Sequence, residues 1–160
     1  NQGITASLPV IEYAAALGVD DEKLYRALLI SNLTTIHEKS SIGRLSAYCG
    51  AVSAGAGAGA GITYLMGGDL NAISHTVVNA LAITSGIVCD GAKSSCAAKI
   101  AVAVDAGILG YEMYHSGKQF YDGEGLVVKG VDNSIRQFGR LARVGMHETD
   151  KEIMRMMTEE

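Results

Sequence analysis

An all-α fold, a compact helical domain with central buried helices rich in glycine and alanine, is predicted by three features of the sequence. Of its 160 residues 20 are Gly, one is Pro and none is Trp, a balance that favours long uninterrupted helices over strands and turns. Asp and Gly stand where helices with apolar faces would begin and end. Two segments, Leu70 to Val88 and Ala97 to Met113, are apolar round most of a helix circumference, the pattern of buried helices.

The chain is 48% hydrophobic and 19% charged, enough for one sizeable core, so residues 1–160 read as a single domain. Its first residue, Asn1, opens a glycine-containing polar turn, which suggests the later part of a longer polypeptide. A net charge of −4 without a run of Lys or Arg gives no footprint for nucleic acid.

After the polar turn Asn1-Gln2-Gly3, an apolar helix runs through Leu8, Val10, Ile11 and Ala14 to Ala16, ended by Gly18. Pro9 must sit in its first turn or kink it. Asp20 and Asp21 cap a helix with Leu24, Leu28 and Leu33 on one side, expected to end near Ile36. His37 to Arg44 then reads as a polar corner; its pattern is not HExxH, because position 41 is Ser.

From Leu45 to Met66 a small-residue helix carries Gly55, Gly57, Gly59 and Gly61 alternating with Ala. A dinucleotide fingerprint fails on register, since Ala60 and Ile62 stand where its third glycine belongs. Each interior glycine weakens a helix by roughly 1 kcal/mol, so four of them predict that another backbone approaches very closely; a silk-like strand is the alternative. The uncharged run from Ala51 to Met66 is shorter than a membrane span requires. Asp69 caps the helix from Leu70, which carries His75 and Asn79 as core polar groups. Gly86 to Ser95 is a break, and Cys96 opens the next buried helix, in which Asp105 must be paired or protonated. Tyr121 to Gly125 is a turn and Leu126 to Val128 a short extended piece. Asp132 or Asn133 caps a helix with Ile135, Phe138 and Leu141 inward and Arg136, Arg140 and Arg143 on a solvated face. Thr149 and Glu152 form a capping box for a last short helix.

Three cysteines, Cys49, Cys89 and Cys96, are an odd number for internal disulfides, and no secretory signal is visible, so a reducing cytoplasmic setting is expected. No CxxC knuckle supports zinc. Two readings stay open on the residues alone: three buried thiols acting as small hydrophobes, or an iron–sulfur cluster held by three thiolates, with one iron left open. Cys89 at a helix end and Cys49 and Cys96 near helix starts favour the second, because helix N-termini suit anions. Lys93, between two of the thiols, is either a donor or solvated.

The stretches Asn1-Gln2-Gly3-Ile4, His37-Glu-Lys-Ser-Ser-Ile-Gly-Arg-Leu-Ser-Ala-Tyr-Cys49-Gly and Cys89-Asp-Gly-Ala-Lys-Ser-Ser-Cys96 resemble the C-terminal half of the iron–sulfur L-serine dehydratase α-chain family. Within it they are similar to the branch of L-cysteine desulfidases and their bacterial relatives. The resemblance extends to about residue 145. It implies an all-helical catalytic domain, a [4Fe-4S] cluster on Cys49, Cys89 and Cys96, and a lyase without pyridoxal phosphate. The open iron would act as Lewis acid on the leaving thiol of L-cysteine, a desulfidase reaction giving hydrogen sulfide, pyruvate and ammonia; dehydration of L-serine on the same scaffold is the alternative. Asn1, Gln2 and Gly3 would lie near the substrate, and Arg44 or Lys39 would pair with its carboxylate. His37 and Lys39 are the local catalytic candidates. The resemblance implies that the base and part of the pocket come from a preceding N-terminal region, and it is compatible with a homo-oligomer. A fourth protein ligand, His37 or His75, would instead mark a structural or oxygen-sensing module. A metal-free helical interaction domain built on the glycine face is the remaining alternative.

Overall fold

The computed structural model describes residues 1–159. Seven α-helices form it: α1 (Gln2–Leu17), α2 (Asp21–Ile42), α3 (Gly50–Leu65), α4 (Leu70–Thr84), α5 (Cys96–His115), α6 (Val131–Arg140) and α7 (His147–Thr158), with a π-helical turn, Leu141–Gly145, between the last two. The all-α expectation holds, and α3 is a helix rather than a silk-like strand.

Helix α3 lies at the centre, buried along nearly its whole length and packed by α1, α2, α4 and α5. Its glycines divide by face. A Cβ on Gly59 would stand 2.7 Å from the Gly107 Cα of α5, while one on Gly61 would stand 2.9 Å from the Ala27 carbonyl oxygen of α2 and from the Val10 side chain of α1. Gly55 likewise faces Ala103 of α5, and Gly57 faces Ser31 and Thr35 of α2. The alternation therefore serves two close backbone approaches at once. Gly107 and Gly110 repeat the device on α5, where a Cβ on Gly110 would stand 2.7 Å from the Thr76 carbonyl of α4.

Several boundaries differ from the expected ones, each for a local reason. Asn1 is the N-cap of α1 and not part of a turn: its carbonyl accepts the Thr5 N–H at 2.9 Å and the Thr5 hydroxyl at 2.8 Å. The helix continues through Pro9 and ends, as expected, on Gly18 in the left-handed region. Asp20 caps α2 by accepting the Lys23 N–H, but the helix runs past Ile36 to Ile42. A stripe of Ala27, Ser31, Thr35, Glu38 and Ile42 is buried along it, so the expected polar corner is its last turns. It stops at Gly43, whose φ of 99° other residues rarely adopt.

The segment after Gly43 bends at Arg44, Leu45 and Ala47, and α3 starts at Gly50 and not Leu45, because Tyr48 forms an antiparallel bridge with Val88. That bridge also ends α4 at Thr84 instead of Val88. Asp69 caps α4 as expected. Leu126 to Val128 is not a strand: Ser134 Oγ donates to the Val128 carbonyl and accepts its N–H, folding the segment onto the start of α6. Gly130, not Asp132 or Asn133, occupies the α6 N-cap. Thr149 and Glu152 lie inside α7, which starts at His147, so no capping box forms there. Asp105 is exposed on α5 and needs no buried partner. Asn79 is the expected satisfied core group, donating to the Gly110 carbonyl and accepting the Phe120 N–H. Among the described residues no helix is long and apolar enough to cross a membrane.

Candidate active site of thiols and a cationic cavity

The bridge between Tyr48 and Val88 is what brings the cysteine segments together. Cys89 N–H donates to the Ala47 carbonyl at 2.6 Å, and Cys49 N–H to the Ile87 carbonyl at 3.4 Å. Cys49 is buried, with Ala51, Val52 and Ala103 around it and Cys89, Ile87 and Ile100 packed against them. Cys49 is the N-cap of α3, its side chain free of any capping hydrogen bond. Cys96, half-buried, is the first residue of α5, and its sulfur accepts the Lys93 N–H at 3.5 Å.

Lys99, one turn into α5, holds the loop between the last two thiols. Its ammonium donates to the Val88 carbonyl at 2.9 Å and pairs with Asp90. The hydrogen bond to Asp90 raises the Lys99 pKa above its usual value, with smaller upward contributions from the charges of Asp90, Cys49 and Cys96. The same bond holds the Asp90 carboxyl below the usual range. Lys99 is therefore the cation tied to the loop between the last two thiols, whereas the Lys93 side chain is exposed. Met157 of α7 reaches the loop, its Cε 3.3 Å from where a Cβ on Gly91 would stand.

All three cysteines are free thiols. Among the described residues no three His, Cys, Asp or Glu side chains are gathered tightly enough for one metal ion. In a cubane cluster each thiolate ligates a different iron, so the ligands stand apart, and soft sulfur donors beside two helix N-termini and an ammonium fit such an anionic group. His37 and His75 lie elsewhere. His37 Nε2 is 3.0 Å from Asp132 of α6, in a groove with Leu33, Leu70 and Ile135, and His75 stacks on Tyr114 at 4.9 Å.

A cavity of about 560 Å³ opens at the C-terminal end of α2, lined by Gln2, Thr35, Ile36, Lys39, Ser40, Gly43, Arg44 and Arg143. It unites three residues expected at the substrate, Gln2, Lys39 and Arg44, and no carboxylate is among its lining. Asn1 and Gly3 are exposed and do not line it. The cavity adjoins the thiols through Gln2, whose carboxamide packs on Gly50, the residue after Cys49: a Cβ there would stand 2.8 Å from Gln2 Cδ.

Sequence reasoning missed three groups. Glu38 is 1% exposed and neither carboxylate oxygen has a hydrogen-bond partner; burial raises its pKa well above the ordinary carboxyl value. The Tyr48 hydroxyl is likewise buried without a partner. Burial foremost, then the charges of Glu38 and Cys49, pushes the phenol up. These two unpaired groups are chain neighbours of the cavity residue Lys39 and of the thiol Cys49. The signal for Glu38 was its place on the buried stripe of α2, visible once that helix is carried to Ile42. The third group is Arg143, exposed as expected but also part of the cavity lining, which was not foreseen.

The serine dehydratase alpha chain family model matches residues 1–155. A UPF0597 protein of Desulfitobacterium hafniense is 66% identical over 157 residues, 98% of this chain and 36% of that protein. A UPF0597 protein of Lachnoclostridium phytofermentans is 59% identical, with 98% and 38% covered. One of Treponema denticola is 48% identical, with 98% and 36% covered. The chain thus spans little more than a third of the length of these relatives. No solved structure matches it.

Proposed function

The chain belongs to the serine dehydratase alpha-chain family, and on that premise we propose that it is the cluster-holding, substrate-binding part of a β-eliminating amino-acid lyase. The observation that carries the proposal is the position of Gln2. Its side chain lines the cationic cavity and packs on Gly50, the residue after Cys49, which supports a small anion held in the cavity on the side of the Cys49 segment.

Cys49, Cys89 and Cys96 would hold a [4Fe-4S] cluster, which when bound supplies a Lewis acid for the leaving hydroxyl or thiolate. Arg44 binds the substrate carboxylate, and the Gln2 carboxamide orients the molecule along the wall. Elimination breaks Cα–H and the bond from Cβ to its substituent and forms a C=C bond. The proton goes to a base, and the leaving oxygen or sulfur departs protonated as water or hydrogen sulfide. The aminoacrylate then takes up water to give pyruvate and ammonia. Lys39 is the cavity-lining candidate for proton transfer; His37, held by Asp132, stands outside this arrangement. A further base would come from the rest of the longer protein. The family name favours L-serine, with L-cysteine, the substrate of the branch the sequence resembles, as the second reading.

The test is anaerobic reconstitution of the full-length protein with iron and sulfide, then a pyruvate assay with L-serine and L-cysteine in parallel. Cluster-dependent pyruvate that falls to background in Cys96→Ala is expected. A cluster without turnover of either amino acid would point instead to a structural or sensing module.

Lys99 gives an independent check on the metal site. Lys99→Met removes the cation that tethers the loop between Cys89 and Cys96 to Val88 and Asp90, and it is expected to weaken iron retention roughly tenfold. Iron per chain measured against increasing chelator reads this out; unchanged retention would remove Lys99 from the site.

A further inference from the structure

Arg143 lies seven residues after Arg136 and three after Arg140. In an uninterrupted α-helix all three share one face. The chain instead widens into the π turn Leu141–Gly145, where the Met146 N–H reaches the Leu141 carbonyl five residues back at 2.8 Å. One extra residue in a turn rotates the side chains beyond it by roughly 100°. All three arginines are exposed, and of the three Arg143 alone lines the cavity.

The π turn is anchored by Ser46 and by Ser40. Ser46 Oγ donates to the Ala142 carbonyl at 2.7 Å and accepts the Tyr48 N–H at 3.0 Å, tying the turn to the bent segment that leads to Cys49. Arg143 Nη2 donates to the Ser40 carbonyl at 3.0 Å, at the end of α2. Its Nε stands 3.7 Å from where a Cβ on Gly43 would be, so the guanidinium lies over a residue without a side chain. A guanidinium carries five N–H groups. One is used on Ser40, and the cavity that Arg143 lines holds two more cations and no acid.

We propose that Arg143, set at the wall of this open cavity by the π turn, is the specificity-determining residue that grips a planar carboxylate there. This rests on the lyase reading for the identity of the ligand as an α-amino acid, though not for its carboxylate. Lys39 and Arg44 supply charge from α2 and the loop after it. Arg143 supplies the rigid fork, pre-oriented by Ser40, that pairs two N–H groups with two carboxylate oxygens.

The experiment uses the full-length protein. With the cluster reconstituted, Arg143→Lys, which keeps the charge and loses the fork, is expected to raise KM for L-serine or L-cysteine roughly tenfold with kcat little changed; Arg143→Gln is expected to raise it about a hundredfold. Arg140→Gln, the same loss of charge just before the π turn, should leave both constants alone. The preference of the wild type for L-serine over L-serinamide, which lacks the carboxylate, should collapse in Arg143→Gln. In parallel, calorimetric binding of pyruvate to the protein without turnover should weaken by a similar factor in Arg143→Gln and stay unchanged in Arg140→Gln. Turnover with KM unaffected by either Arg143 change would overturn this inference and leave the lyase standing. Arg143-dependent pyruvate binding without turnover of either amino acid would overturn the lyase and leave the carboxylate grip standing. Pyruvate that binds equally to wild type and Arg143→Gln, or to neither, would overturn the inference.

Discussion

Gly107→Val is expected to destabilise the domain by roughly 4 kcal/mol, a large part of the 5–15 kcal/mol typical of a folded domain. A Cβ at this position would stand 2.6 Å from the Gly55 carbonyl oxygen and 3.0 Å from Gly59 Cα. Both are backbone atoms of α3, so no rotamer change relieves the clash. Helices α3 and α5 must separate, and the contacts around Ala103, Val52 and Cys49 open with them. Gly86→Ala is the matched control, since nothing lies within 4 Å of a Cβ there, and its effect should be within about 0.5 kcal/mol. Denaturant unfolding of the full-length protein checks both. Equal midpoints for the two variants would show that the helices tolerate a wider spacing than the glycines indicate.

Glu38→Gln is expected to stabilise the protein at neutral pH and to flatten its dependence on pH. Burial keeps the Glu38 carboxyl protonated in the folded chain well above the ordinary value of 4.5. Above that value the unfolded chain releases the proton and the folded chain retains it. The folded state then binds more protons, so stability falls as pH rises, by up to about 1.4 kcal/mol per pH unit, until the raised native value is reached. Glutamine keeps the shape without the ionisation. Urea unfolding between pH 5 and 7 should show a gap between variant and wild type that widens with pH. A constant gap would mean that Glu38 finds a charged partner in the full-length protein.

The two cases differ in how they could have been foreseen. The glycine clash was legible: four interior glycines in register announce a close backbone, although not that two helices share the duty, with Gly55 and Gly59 toward α5 and Gly57 and Gly61 toward α2. Glu38 was hidden by an expected boundary. Ending α2 near Ile36 turned Glu38 into part of a solvated corner, whereas the helix continues to Ile42 and buries it. The same limit applied to Arg143. Spacing by 3.6 residues assigns it to the face of Arg136 and Arg140, and only the π turn moves it.

What the sequence determined by itself is what depends on local chemistry. Asp20 and Asp69 at helix starts, Gly18 at a helix end, the small-residue face of α3 and the apolar circumference of α4 are properties of neighbouring residues, and they suffice for an all-helical chain. The thiol motif was equally visible as spacing. Tertiary structure decided what depends on residues far apart in the chain. The Tyr48–Val88 bridge pairs two cysteine segments forty residues apart and cuts short the helices on either side. Gln2 meets Gly50, and Arg143 meets Ser40 across 103 residues. Such contacts form only when packing of the helices has met the entropy of closing long loops, so no periodicity in the sequence encodes them.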